Sequence, residues 1–103
     1  MSKLGEEIIE MLRITETSQD EKTITLRLDG KVVGTRVSEL EKLCLHYRDE
    51  KNRAIILDFM GVSFIDNNGV EMLEKIKDER LQIINYSPFI RSLLHNLIIS
   101  NKR

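Results

Sequence analysis

The densest group of side chains able to do chemistry lies in one short stretch near the middle of the chain. It holds two carboxylates, one hydroxyl, two amides and a glycine, namely Asp58, Ser63, Asp66, Asn67, Asn68 and Gly69. The stretch follows an apolar run and leads into an amphipathic one. In open α/β sheets, functional sites lie at the carboxyl ends of strands, and the free N–H groups of a following helix suit anions. The pattern therefore predicts a functional loop.

A purely structural interpretation explains part of the same stretch. Asn68, Gly69 and Glu71 match a capping box begun by asparagine, and Asn-Gly pairs are ordinary turn chemistry. On this interpretation the polar residues only start a helix. The residues alone leave both interpretations open.

Catalysis and metal binding find little support in the residue spacing. Asp58 and Asp66 have no histidine or third carboxylate placed to join them, and no nucleophile, base and orienting group occur together. His46 and His95 each lie just off an apolar helical face, which is typical of surface histidines. The glycines match no phosphate-binding loop. The sequence predicts a protein that is not an enzyme and has no metal or cofactor.

Composition and charge narrow the cellular setting. The 103 residues fit one domain, and the formal net charge of −1 lacks the basic surplus of a nucleic-acid module. The single cysteine, Cys44, falls on an apolar helical stripe, which predicts an inert thiol in a reducing cytoplasm. The polar, acidic start is unlike a signal peptide, and no apolar run approaches the roughly 20 residues that span a bilayer. We therefore expect a cytoplasmic protein without direct membrane insertion.

Four segments carry the patterns of β-strands: residues 11–16, 23–28, 54–58 and 81–86. The first two alternate polar and apolar residues around a polar turn at 18–21, which predicts a β-hairpin. The third begins with a continuous apolar run at 54–57, which is typical of a strand buried on both faces. The segment 59–68 that follows is predicted to be a loop.

Three segments carry helical periodicity: residues 38–50, 69–79 and 88–98. In the first, Ser38 and Glu41 match a capping box. Before the third, Ser87 predicts an N-cap, and Pro88 takes the first helical position, where its missing N–H costs nothing. The order β-β-α-β-α-β-α predicts an α/β fold with a mixed, mostly parallel four-stranded sheet and helices packed on it. We expect the first strand to pair antiparallel at one edge.

The stretch from Ala54 to Val70, AIILDFMGVSFIDNNGV, resembles the central motif of STAS domains, the family of bacterial anti-sigma factor antagonists and of related domains in sulfate transporters. The family pattern is an apolar strand, an Asp-Leu-Ser-like turn and an apolar loop ending in Asp-Ser-Ser-Gly-Leu. Residues 26–32 resemble the family's strand ending in Leu-x-Gly-Glu-Leu. Residues 87–94 resemble its Ser-Pro-x-Val-x-x-Leu-Leu helix start. The resemblance covers residues 11–98 and implies a single STAS-like domain over 1–103.

The chain departs from the family pattern at its regulatory position. In partner-switching antagonists of this family, a cognate kinase phosphorylates the first serine after the aspartate. Here that position is Asn67, and the next residue is Asn68. An amide has no hydroxyl, so the resemblance implies that the usual switch does not operate at this loop.

The resemblance implies a non-enzymatic regulatory module that binds a protein partner, an anti-sigma factor or kinase. The docking loop would comprise Asp66, Asn67, Asn68 and Gly69, with further interface residues at Asp29, Gly30, Ser63, Phe64 and Met72. An alternative function comes from the same family, because some short, stand-alone STAS proteins are cytosolic accessory subunits of ABC-type lipid transporters.

Overall fold

The element order matches the sequence-based prediction. The computed structural model describes residues 12–95 and residue 97. The strands are β1 (Leu12–Gln19), β2 (Thr23–Val32), β3 (Ala54–Ile65) and β4 (Leu81–Ile84), and the helices are α1 (Thr35–Leu45), α2 (Asn67–Ile76) and α3 (Pro88–Leu93). A π-helical turn, His46–Glu50, continues α1. Residues 1–10, whose sequence favours a helical turn or a lead into β1, lie outside the described residues.

The four strands form one mixed sheet in the order β1-β2-β3-β4. β1 and β2 are antiparallel, whereas β2–β3 and β3–β4 are parallel. The predicted fold class and the antiparallel edge strand are therefore confirmed. The hairpin turn is closed by Asp20, whose Oδ1 accepts hydrogen bonds from the backbone nitrogens of Lys22 (2.8 Å) and Thr23 (2.7 Å). These two backbone donors lower the pKa of the Asp20 carboxyl.

One face of the sheet forms the core. Alternate residues of β2 and of the first part of β3 are buried, namely Ile24, Leu26, Leu28, Ile55, Leu57 and Phe59. The buried apolar side chains of all three helices belong to the same cluster. The prediction that the run 54–57 is buried on both faces is wrong, because Ala54 and Ile56 keep partial exposure. The helices pack on the other side of the strand from these two residues.

β3 is longer than the sequence indicated. A loop was expected from residue 59, but the strand continues to Ile65 and pairs with the last residues of β2, Asp29 to Val32. Two register shifts interrupt this part of the pairing. They break the period-two pattern, which explains why residues 59–65 do not look like a strand in the sequence.

The start of α1 also differs from the prediction. Ser38 does not cap the helix, because its hydroxyl donates to the carbonyl of Thr35 (3.1 Å) from within the first turn. The N-cap is Gly34, at φ 60°, where the left-handed backbone favours glycine. The predicted helix over 38–50 is thus an α-helix from Thr35 followed by the π-helical turn.

The start of α3 follows the prediction. Ser87 caps the helix by accepting a hydrogen bond from the backbone nitrogen of Ile90 (3.1 Å), and Pro88 occupies its first turn. The α-helix ends at Leu93. The predicted end of this helix, residue 98, lies outside the described residues.

β4 ends at Ile84, two residues earlier than predicted, because Asn85 adopts a positive φ of 62° and turns the chain.

Candidate functional site

The predicted docking loop lies where β3 ends and α2 begins, and Asp66 organises it. Its Oδ1 accepts a hydrogen bond from the backbone nitrogen of Gly69 (2.8 Å), so Asp66 is the N-cap of α2. Its Oδ2 accepts from the backbone nitrogen of Gly34 (3.2 Å). One carboxylate therefore joins the N-terminus of α2 to that of α1. The capping box expected to begin at Asn68 is wrong, because Asn68 already lies inside the helix.

The other three loop residues divide into exposed and buried positions. Asn67 and Asn68 are exposed on the first turn of α2. Gly69 is buried, and a Cβ there would lie 2.6 Å from Cγ1 of Ile65 and 3.1 Å from the carbonyl oxygen of Val32. Asp66 and Gly69 thus shape the loop, whereas the two amides face the solvent.

Asp29 and Gly30 lie on β2 beside the far half of β3, and Ser63 belongs to that half of β3. The Ser63 hydroxyl donates to the carbonyl of Gly30 (3.4 Å), and Asp29 forms an ion pair with Arg27 (3.3 Å). Asp29 and Gly30 also line an open cleft of about 670 Å³ on the face of the sheet opposite the core, together with Arg13, Thr15, Thr17 and Arg27. These positions are accessible to a partner.

Phe64 and Met72, two of the predicted interface residues, differ in exposure. Phe64 is exposed, and its ring stacks against that of Phe89, with centroids 6.3 Å apart and planes inclined by 23°. The helical spacing of α3 allows either Phe89 or Ile90 to face the core. In the structure Ile90 is buried and Phe89 is 53% exposed. Met72 is only 4% exposed and belongs to the core. Among the candidate interface residues, Phe89 therefore takes a place beside Phe64, whereas Met72 is excluded by its burial.

A groove between α1 and α2 adjoins the loop. The sequence did not predict it. It has a volume of about 260 Å³ and is lined in part by Asn68, Glu71, Glu41 and Lys75. The Lys75 ammonium and the Glu41 carboxylate form an ion pair across it at 2.7 Å. These residues come from two helices, so only the packing of the helices brings them together. No pattern in the sequence predicts the groove.

The other polar residues considered for chemistry have structural partners. The Asp58 carboxylate accepts hydrogen bonds from the backbone nitrogen of Met60 (3.0 Å) and from Nδ2 of Asn85 (3.1 Å). His46 contacts Glu50 through Nδ1 at 2.9 Å. Burial raises the pKa of the Cys44 thiol to about 12. Within residues 12–95 and 97, no group of three or more metal-ligating side chains occurs.

The comparisons with known proteins agree with this geometry. The family profile described as STAS domain matches residues 11–101. The chain belongs to the STAS family. No curated protein sequence matches the chain. Over the described part of this STAS protein, no helix has the length and apolar character required to cross a bilayer.

Solved structures share the STAS fold. The unphosphorylated form of the anti-sigma factor antagonist SpoIIAA is similar with a TM-score of 0.62 and 21% identity, over 81% of this chain and 82% of that one. The phosphorylated form of SpoIIAA, described as a Bacillus cell fate determinant, gives 0.63 and 20%, over 82% and 83%. A STAS-domain antisigma-factor antagonist from Rhodobacter sphaeroides gives 0.57 and 17%, over 74% and 88%.

Proposed function

We propose that this chain is a regulatory STAS module that acts by binding a protein partner and catalyses no reaction. The docking surface comprises the loop Asp66–Gly69 and the exposed side of α2. The observation that carries the proposal is the position of Asn67, an exposed amide on the first helical turn after the Asp66 cap. We propose that the whole chain is one domain that works in the cytoplasm, with an anti-sigma factor or a kinase of that type as its partner.

We further propose that Asn67 holds the module in its binding-competent state. The family resemblance aligns Asn67 with the serine that is phosphorylated in partner-switching antagonists. SpoIIAA has been solved in an unphosphorylated and a phosphorylated form. Asn67 has no hydroxyl to modify, and its neutral amide matches the charge of an unphosphorylated serine. A partner that requires an uncharged side chain at position 67 therefore meets one that no kinase can charge.

The experiment is a charge substitution at this position. Asn67→Asp places a carboxylate at the N-terminal end of α2, where the helix dipole tolerates it, so the free energy of unfolding should stay within about 1 kcal/mol of the parent value. The same carboxylate would be desolvated without a counter-charge in the complex, so partner binding should weaken at least about tenfold, or about 1.4 kcal/mol. Gln82→Glu is the matched control, since it adds one charge on an exposed residue of β4.

The partner for the titration is obtained by affinity purification from the native host and then produced in pure form. Unchanged binding by a folded Asn67→Asp variant would place the interface elsewhere and leave the loop as a helix cap only. A transporter permease or ATPase as the purified partner would contradict the anti-sigma assignment and favour the transporter subunit. Asn67→Ser adds a second measurement, because phosphorylation of that serine by a bound kinase would show that the kinase-docking surface is intact.

A further inference from the structure

Asn68 and Gly69 form the only Asn-Gly pair in the sequence, and they lie on the candidate loop. Asparagine followed by glycine is prone to deamidation, because glycine has no side chain to hinder attack on the asparagine side chain. The backbone nitrogen of Gly69 bonds to Cγ of Asn68 and loses its proton, while the Cγ–Nδ2 bond breaks and ammonia leaves. Water then opens the resulting succinimide and leaves an aspartate or an isoaspartate. No oxidant or other reagent takes part.

The structure holds the attacking nitrogen in a different interaction. The Gly69 N–H donates to Oδ1 of Asp66 at 2.8 Å, and Asn68 has helical backbone geometry within the first turn of α2. Attack requires this hydrogen bond to break and the backbone at Asn68 to rotate out of the helix. The second oxygen of Asp66 is itself held by the Gly34 nitrogen at 3.2 Å. The Asn68 side chain, by contrast, is exposed to water.

We propose that Asn68 is a latent deamidation site whose rate is controlled by the Asp66 cap. The first turn of α2 opens locally, the Gly69 nitrogen attacks, and the carboxylate that forms remains at the positive end of the helix, which stabilises it. Because Asn67 accepts no phosphate, this reaction is a route by which the loop gains a negative charge, and it is irreversible. The effect of that charge on partner binding rests on the proposed function, whereas the reaction itself does not.

The rate of Asn68 deamidation is measured on the full chain, which is incubated at mildly alkaline pH and physiological temperature. Trypsin cleavage after Arg53 and Lys75 releases residues 54–75, which contain only two asparagines, Asn67 and Asn68. Mass spectrometry with fragmentation then assigns the mass gain of deamidation to one of them, and isoaspartate methylation detects the second product. Asn68→Gln is the non-reacting control.

Two variants of Asp66 test the role of the cap. Asp66→Ala should deamidate at least about fivefold faster than the parent, the factor that corresponds to loss of a typical helix N-cap. Asp66→Asn should stay close to the parent rate, because its side-chain oxygen still accepts from the Gly69 nitrogen. Equal rates in the parent and Asp66→Ala would overturn the proposal.

Leu57→Ala separates local opening from global unfolding. Leu57 is fully buried in β3, so its truncation destabilises the whole fold and leaves the cap in place. If Asn68 reacts through local opening, this variant should react within about twofold of the parent, even though it loses more stability than Asp66→Ala. Faster deamidation in Leu57→Ala than in Asp66→Ala would overturn the proposal, because the reaction would then proceed from the unfolded chain.

Partner binding is measured separately with Asn68→Asp. Weaker binding by this folded variant would support the charge switch. Unchanged binding would overturn the regulatory consequence while leaving the modification itself established by the rates. Failure of the proposed function would appear instead as unchanged binding by Asn67→Asp, so the two failures are distinguishable.

Discussion

Replacing Asp66 by alanine should destabilise the fold by an amount that its two hydrogen bonds define. Loss of the bond to the Gly69 nitrogen removes the N-cap of α2, which costs typically about 1 kcal/mol. Loss of the bond to the Gly34 nitrogen frees the start of α1 and costs a further roughly 0.5–1.5 kcal/mol, the usual net worth of one hydrogen bond. We therefore expect Asp66→Ala to lower the free energy of unfolding by about 1.5–2.5 kcal/mol.

The measurement is urea denaturation followed by circular dichroism, with the slope of the transition checked against the parent. Asp66→Asn keeps an acceptor oxygen and should lose clearly less stability. Glu71→Ala is the second control, since it removes an exposed carboxylate from α2 and should change stability by less than about 0.5 kcal/mol. A loss below about 0.5 kcal/mol for Asp66→Ala, the range of ordinary surface changes, would refute the claim that this carboxylate joins two helix starts.

Three further predictions concern the core and its neighbours. Leu57→Ala should lower the free energy of unfolding by roughly 2–5 kcal/mol because Leu57 is fully buried, and a loss under about 0.5 kcal/mol in a urea titration would show that it is exposed. Gly61→Ala should cost about 1–3 kcal/mol, since its Cβ would lie 1.9 Å from Oδ1 of Asp29 and 2.9 Å from the carbonyl oxygen of Leu28. Adding Asp29→Ala should recover part of that loss, and strictly additive losses would contradict the clash. The Cys44 thiol, whose pKa burial raises to about 12, should react with iodoacetamide far more slowly in the folded than in the denatured protein. Because only the unfolded thiol ionises above its ordinary pKa of 9.0, Cys44 should make folding less favourable as the pH rises from there towards 12, and fast labelling of the native protein would contradict its burial.

Local patterns in the sequence determined most of the architecture. The alternation in β1 and β2 predicted the hairpin, and the apolar helical stripe that includes Cys44 predicted a buried helical face that the structure confirms. Ser87 and Pro88 marked the start of α3 because an N-cap and a first-turn proline depend only on neighbouring residues. The family followed from the motif around Asp66, and the profile match confirmed it.

The tertiary structure decided the features that depend on residues far apart in the chain. β3 extends to Ile65 because its far half pairs with β2, and the register shifts hide that pairing from any period-two pattern. Asp66 is the cap of α2, and it also holds Gly34, a residue 32 positions away. Sequence reasoning chose Asn68 as the cap because an Asn-x-x-Glu pattern is local, whereas the bond to Gly34 exists only once the sheet has formed.

The residues of the candidate interface also divide into those that the sequence predicted and those that only the tertiary structure revealed. The exposure of Asn67 and Asn68 follows from their place on the first helical turn, and residue types alone pointed to this loop. Which apolar residues join the surface was settled by packing: Met72 lies in the core, and Phe89 stacks on Phe64 in the solvent. Whether an apolar residue of a helix is buried depends on the element that packs against it, and that element comes from another part of the chain. The sequence therefore determined the type and the order of the elements. Only the assembled sheet determined where several of them begin or end and which side chains remain free for a partner.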